Sequence, residues 1–111
     1  MILHTRLLFW ANGFTVSPSL TLINWDGPGL DALIAHEQKH QAQMRRDGLL
    51  TFWWRYLFSR AHRLDYEAQA YNVQISMGAP ATWAAEKLAT KYFLGITVEQ
   101  ATAALELRSH G

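Results

Sequence analysis

Two histidines and a glutamate lie within five consecutive residues of the stretch LIAHEQKHQAQ, residues 33–43. On a helix, His36 and His40 are one turn and about 40° apart, so both imidazoles can reach one metal ion. Glu37 lies beside them and can reach a water molecule bound to that ion. Neutral imidazole binds zinc, which lowers the pKa of its water so that a carboxylate can take the proton as the water attacks a carbonyl. The three side chains predict a Zn²⁺ site with Glu37 as general base.

The helix that carries these residues is expected to bury them. At about 100° per residue, Glu37 and His40 share one face with a set of apolar side chains. That set consists of Leu30, Leu33, Ile34 and Met44. A buried carboxylate is costly unless it is paired or close to a metal. The alternative is a helix whose solvated His and Glu match the H-E-x-x-H pattern by coincidence, which would interrupt the apolar stripe for no benefit. The pattern is typical of zinc metallopeptidases.

A catalytic zinc ion needs a third protein ligand, and the stretch RAHRLDYEAQAYN, residues 60–72, offers the candidates. Glu67 is favoured because it shares a stripe with the apolar side chains of its own predicted helix and so faces the interior. His62 and Asp65 remain alternatives, although they point away from Glu67 on a helical wheel. Glu67 could instead pair with a neighbouring arginine such as Arg63.

The two parts of the chain differ in their predicted secondary structure. Residues 2–25 are β-rich in character, and Asn12-Gly13 between apolar runs is a hairpin signal. From Leu30 onward the chain is expected to be helical, and Thr97 with Gln100 predicts a capping box at the start of the last helix. The predicted helices are 30–47, 50–59, 60–77, 80–94 and 97–109. The sequence therefore predicts a single α+β domain over residues 1–111, with a small N-terminal sheet or hairpin followed by a helical body.

Composition limits the function classes. The chain has 111 residues, half of them hydrophobic, with a net charge of +1, which does not indicate nucleic-acid binding. The absence of cysteine excludes thiolate metal sites and disulfides. The N-terminus lacks the apolar run of a signal peptide, and no segment approaches the roughly 20 apolar residues that span a bilayer. A cytoplasmic protein without stable membrane insertion is the expectation.

The stretch GLLTFWWRYLFSR, residues 48–60, is dense in large apolar groups. We interpret residues 49–58 as folded core and not a membrane anchor, because a small domain needs apolar mass to pack its helices. A substrate pocket or partner surface, and a helix lying on a membrane surface, remain alternatives. In the C-terminal helices, Trp83, Leu88 and Phe93 are predicted core residues.

The sequence resembles a known family at these residues. HEQKHQAQ followed by Glu67 in YEAQAY is similar to the gluzincin class of zinc metallopeptidases, especially to very short, often bacterial or phage, relatives called minigluzincins. The resemblance covers residues 22–73. It implies His36, His40 and Glu67 as zinc ligands, Glu37 as general base, and a peptide or protein substrate.

The resemblance also implies a zincin-like active-site helix. It further implies an edge strand before that helix, LTLIN at residues 20–24, that pairs with an extended substrate. One position departs from the family pattern, because larger gluzincins carry an Asp four residues after the ligand Glu, where this chain has Tyr71. What orients the first histidine is therefore left open.

Three functions follow from these observations. The first is a zinc-dependent peptidase. The second is a zinc-binding protein without turnover, in which the metal is structural or the domain binds a partner. The third is a small structural or assembly protein without a metal.

Overall fold

The computed structural model describes residues 1–6 and 12–109. The described N-terminal residues form a three-stranded sheet of β1 (Ile2–His4), β2 (Gly13–Ser17) and β3 (Leu20–Ile23). The middle strand is β3, which pairs in parallel with β1 and antiparallel with β2. Side chains along β3 alternate between half-buried and buried, as expected for a strand with one face against a helix.

The strand order corrects two predictions. LTLIN is not an edge strand, because β1 pairs with the side of β3 that β2 leaves free. Asn12-Gly13 is not the turn of a hairpin between β1 and β2, since β3 lies between them; the hairpin joins β2 to β3 through residues 18–19. Residues 7–11, part of the predicted apolar run, lie outside the described residues.

The helical body confirms the α+β fold class. Its described helices are α1 (Leu30–Asp47), α2 (Leu49–Phe58), α3 (Arg60–Ser76), α4 (Ala81–Lys91) and α5 (Val98–Arg108). Gly48 has a φ of 87°, which permits the sharp change of direction from α1 to α2. The capping box is confirmed, because Thr97 and Gln100 each accept the other's backbone N–H.

The apolar core lies on both sides of α3, which packs against α1, α2, α4 and α5. The larger cluster is formed by Ala68, Tyr71, Ala84, Ala85, Leu88, Leu94, Ala101 and Leu105. A smaller cluster of Met44, Phe52 and Tyr66 joins α1 and α2 to α3. The prediction of Leu88 as core is confirmed, and the half-buried Trp83 packs against the same cluster. The prediction for Phe93 is wrong, because α4 ends at Lys91 and leaves Phe93 exposed beyond it.

The prediction that residues 49–58 form core is largely wrong. Phe52 is buried, and Trp53 and Tyr56 pack half-buried against the smaller cluster. The remaining large apolar side chains of α2 are exposed, because only one side of the helix packs against α1 and α3. Within the part of the chain that the structure describes, no helix combines the length and apolar character needed to cross a membrane.

Candidate metal centre

The most deeply buried side of α1 is polar. Its buried residues are Ala32, His36, Glu37, His40, Gln41, Gln43 and Met44. Of the four apolar residues predicted to share this face, Met44 is buried, but Leu30, Leu33 and Ile34 are only half-buried. Each buried polar group of α1 therefore needs a hydrogen-bond partner within the protein.

Glu67 on α3 faces both histidines of α1. Its Oε1 lies 3.1 Å from His36 Nε2 and 3.0 Å from His40 Nε2, and all three residues are buried. The Tyr56 hydroxyl donates to the other carboxylate oxygen, Oε2. Among the described residues, this His-His-Glu group is the one whose ligand atoms lie within 4.8 Å of one another. The structure thus brings together the three residues that the sequence suggested as ligands.

The alternative third ligands lie elsewhere. His62 is exposed, with its Nδ1 2.8 Å from the Ser59 hydroxyl. Asp65 accepts a hydrogen bond from Arg108 at 2.8 Å and lies outside the cluster. Arg63 donates to the backbone carbonyls of Tyr92 and Tyr56. It is therefore not the partner of Glu67 that the sequence allowed.

The hydrogen bonds of Gln43 assign the proton on His40. The Gln43 Nε2 donates to the Tyr66 carbonyl at 3.0 Å and to Gln69 Oε1 at 3.2 Å. Its Oε1 is therefore the acceptor 2.8 Å from His40 Nδ1, which places a proton on Nδ1. In neutral His40, the lone pair of Nε2 would then face a Glu67 oxygen at 3.0 Å. Two acceptors at this distance require a positive charge between them, either a second proton or a metal ion.

The electrostatics of the metal-free cluster favour the proton. Burial lowers the pKa of His40, but the charge and hydrogen bond of Glu67, with smaller contributions from Glu37 and Gln43, outweigh burial and raise it to about 9. Burial raises the pKa of Glu67, but His40 and His36 lower it well below its ordinary value. Without metal, His40 and Glu67 form a buried ion pair.

Tyr71, four residues after Glu67, contacts His36 by ring packing. The two ring centroids are 4.6 Å apart with an interplanar angle of 80°. The Tyr71 hydroxyl pairs with that of Tyr92 at 2.6 Å. Within residues 1–6 and 12–109, the buried Nδ1 of His36 has no hydrogen-bond partner. His36 is therefore oriented by the contact of its Nε2 with Glu67 and by packing against Tyr71, with no hydrogen bond to Nδ1 from the described residues.

The donor set fits a zinc ion. With zinc–nitrogen bonds of about 2.0–2.1 Å, neighbouring ligand atoms of a tetrahedral site are about 3.3 Å apart. The distances of 3.0 and 3.1 Å from Glu67 to the histidine nitrogens are close to this spacing. Two imidazoles and one carboxylate also match the ligands of catalytic zinc sites, which keep one position open.

Glu37 is not part of the donor group and is held by the sheet. Thr15 Oγ1 donates to Glu37 Oε2 at 2.8 Å. Thr15 Oγ1 lies 2.9 Å from Thr21 Oγ1, which in turn accepts from Gln41 Nε2 at 2.9 Å. These bonds form a chain from Gln41 through the two hydroxyls to Glu37, whose main-chain carbonyl also lies 3.0 Å from Thr15 Oγ1. The sequence did not predict this chain, because a threonine in a short strand is common and gives no functional signal.

Two cavities meet at the candidate site. A cavity of about 330 Å³ is lined by the donor cluster and by aromatic residues of α2, and an adjoining cavity of about 610 Å³ continues toward Trp25 and Trp83. Both are lined by Gly13, His36, Glu37, Lys91 and Tyr92. A Cβ on Gly13 would lie 3.1 Å from Glu37 Cγ, so glycine allows β2 to approach the carboxylate closely.

Comparisons with protein families, with curated proteins and with solved structures gave no match to this chain. The resemblance to gluzincins therefore rests on the motif residues themselves.

Proposed function

We propose that the protein is a zinc-dependent peptidase in which Glu37 is the general base. The proposal rests chiefly on the separation of two carboxylates. Glu67 contacts both histidines, whereas Glu37 stays off the donor group, buried where the two cavities meet. A structural zinc site would be expected to enclose the ion with four protein ligands, and three donors beside a cavity support a catalytic role instead.

The roles of the side chains follow from their contacts. His36, His40 and Glu67 would hold the ion, which when bound supplies Lewis-acid activation of a water molecule and of a substrate carbonyl. Glu37 would accept the proton of the attacking water and pass it to the nitrogen of the leaving amine, so that the proton count balances. Thr15 keeps the Glu37 carboxylate oriented.

The sheet supports an extended peptide as substrate. Among the described residues β2 is an edge strand of the sheet, and its first three residues line the smaller cavity. A peptide that paired along residues 13–15 would pass the candidate site. The Trp53 indole binds the Val16 carbonyl at 3.0 Å, which would limit the pairing to this short segment.

The test combines metal content and hydrolysis. Zinc is measured by elemental analysis, and activity is measured against a broad peptide library. Glu67→Ala is expected to lose zinc. Glu37→Gln is expected to keep zinc and fold but lose hydrolysis by several powers of ten in rate. His62→Ala, at an exposed histidine outside the cluster, is the matched control and should change neither quantity.

Two results would contradict the proposal. Wild-type protein that binds zinc but cleaves no library peptide, with no effect of Glu37→Gln, would favour a zinc-binding protein without turnover. Wild-type protein that binds no zinc would favour the structural or assembly role without metal.

A further inference from the structure

The outer side of α2 carries a row of large apolar side chains. We define the α2 apolar surface as Leu50, Trp54, Leu57 and Phe58, which are 85, 68, 60 and 70% exposed. Their spacing places them on one stripe of the helix. The Trp54 and Phe58 rings are in contact, with centroids 4.7 Å apart. This surface is separate from the metal cluster, since the opposite side of α2 packs against α1 and α3.

A second exposed aromatic residue, Phe93, lies near the C-terminal end of α2. It is 93% exposed and has a φ of 54°, a strained conformation for a bulky residue. Arg63 ties its backbone to the end of α2, because the guanidinium contacts the Phe93 carbonyl at 3.4 Å and the Tyr56 and Leu57 carbonyls at 2.6 and 3.4 Å. The fold thus holds the backbone of this exposed residue beside the C-terminal end of α2, where Phe93 also lines the smaller cavity.

The segment that carries this surface is basic. Residues 48–64 contain Arg55, Arg60 and Arg63 but no Asp or Glu. Lys91, two residues before Phe93, is also exposed. Asp47, just before this segment, accepts hydrogen bonds from Arg46 and Tyr66 and lies 3.6 Å from Arg55. Arg63 donates to backbone carbonyls, so Arg60 and Lys91 are the cations available for docking. Large apolar groups bordered by cations match the chemistry of an anionic lipid surface.

We propose that the α2 apolar surface, together with Phe93, docks on the surface of an anionic lipid bilayer. Aromatic side chains favour the boundary between headgroups and acyl chains, and arginine is attracted to anionic headgroups. A helix of ten residues is about 15 Å long and lies in the plane of the interface without crossing it. This proposal replaces the expectation that residues 49–58 are core, and it does not depend on peptidase activity.

The charge pattern disfavours a second copy of the chain as the occupant. A symmetric contact would bring the α2 surfaces of two copies together. Arg60 of each copy would then lie near the contact, and residues 48–64 offer no carboxylate to pair with it. Repulsion between like charges opposes such a dimer.

Flotation with vesicles tests the proposal. The full chain is mixed with vesicles of phosphatidylcholine alone or of phosphatidylcholine with phosphatidylglycerol, at low and at high salt. We expect flotation with the anionic vesicles at low salt, and a several-fold decrease at high salt because the charges are screened. The double variant Trp54→Ser, Phe58→Ser should bind more than about tenfold more weakly, since two apolar anchors are lost.

Matched variants separate docking from misfolding. Leu107→Ser removes a leucine of α5 that is 79% exposed and should bind like wild type. Arg60→Gln should lower binding to anionic vesicles only. Absence of flotation with either vesicle, or equal flotation of the double variant, would overturn the proposal. A dimer in analytical ultracentrifugation that dissociates in the double variant would instead identify the surface as an interface between two copies.

Discussion

The protonation of His40 gives zinc binding a defined pH dependence. In the metal-free chain, Glu67 and its neighbours outweigh burial and raise the pKa of His40 to about 9. Zinc needs the neutral imidazole, so binding below pH 9 must release this proton. Apparent zinc affinity should therefore rise about tenfold per pH unit between pH 7 and 9 and then level off.

Two measurements check this prediction. Competition with a chromophoric chelator at several pH values gives the apparent affinity, corrected for the protonation of the chelator. Calorimetry in buffers of different ionisation enthalpy should count about one released proton at pH 7.5. An affinity that is constant from pH 7 to 9 would show that His40 carries no extra proton in the metal-free chain.

Thr15 should matter for the rate but not for metal binding. Its hydroxyl donates to Glu37 Oε2 at 2.8 Å and lies outside the donor group. We expect Thr15→Val to keep full zinc content and to lower kcat about tenfold, the size of one misoriented proton transfer. The variant should also be less stable by about 1–3 kcal/mol, because Thr21 and Gln41 lose the end of their hydrogen-bond chain.

Thr15→Ser is the matched control, because it keeps a hydroxyl at the same place. If Thr15 positions the Glu37 carboxylate, Thr15→Ser should keep the wild-type kcat. A purely structural role would instead make Thr15→Val and Thr15→Ser differ in stability but not in kcat.

The residue types explain which parts of the site could be predicted. His36 and His40 are uncommon residues whose spacing matters only on a helix, so the sequence pattern by itself indicated a metal. Glu67 could be suggested as a ligand because it shares one face of α3 with apolar side chains. Only the tertiary structure shows that Glu67, and not His62 or Asp65, lies beside the two histidines. Thr15 could not be found, because its approach to Glu37 depends on how the sheet packs against α1.

At the scale of elements, Asp47 joins the end of α1 to α2 and α3. It accepts hydrogen bonds from Arg46 at 2.9 Å and from Tyr66 at 2.7 Å, and Arg55 lies 3.6 Å away. The hydrogen bond from Arg46, with Tyr66 and the arginine charges, outweighs burial and lowers the pKa of Asp47 to about 2. This stabilisation is complete above about pH 4, the pKa of an unfolded Asp, and is lost as the pH falls toward 2.

Asp47→Asn tests this junction. We expect it to lower the free energy of unfolding by about 1–2 kcal/mol at pH 7, since the side chain is only partly shielded from solvent. The difference from wild type should shrink between pH 4 and pH 2, measured by urea unfolding across this range. A difference that stays constant with pH would show that the Asp47 charge does not stabilise the fold.

Helices were easier to predict than the arrangement of strands and surfaces. Helix ends depend on local signals, such as the Thr97 capping box and Gly48, and these were visible in the sequence. The order of the strands depends on β1 pairing with β3 across a long sequence separation, which no local pattern shows. The exposure of α2 was missed for a similar reason, because apolar composition does not show which side of a helix has a partner.

At the scale of the whole molecule, the candidate site joins two helices that are distant in sequence. His36 and His40 lie on α1, and Glu67 lies on α3, the helix that packs against every other helix. In the metal-free chain, a buried ion pair makes this connection, and burial offsets much of its attraction. Metal binding at this point should therefore stabilise the fold as a whole and not only the cavity.

Zinc should raise the thermal stability of the entire chain. At a free zinc concentration one hundred times Kd, the free energy of unfolding rises by about 2.7 kcal/mol. For a chain of this length, Tm should rise by roughly 10 °C, measured by scanning calorimetry with and without zinc. Magnesium, which prefers oxygen ligands, should leave Tm unchanged. Glu37→Gln should keep the full zinc-dependent shift, and Glu67→Ala should lose most of it; equal shifts in both variants would place the third ligand elsewhere.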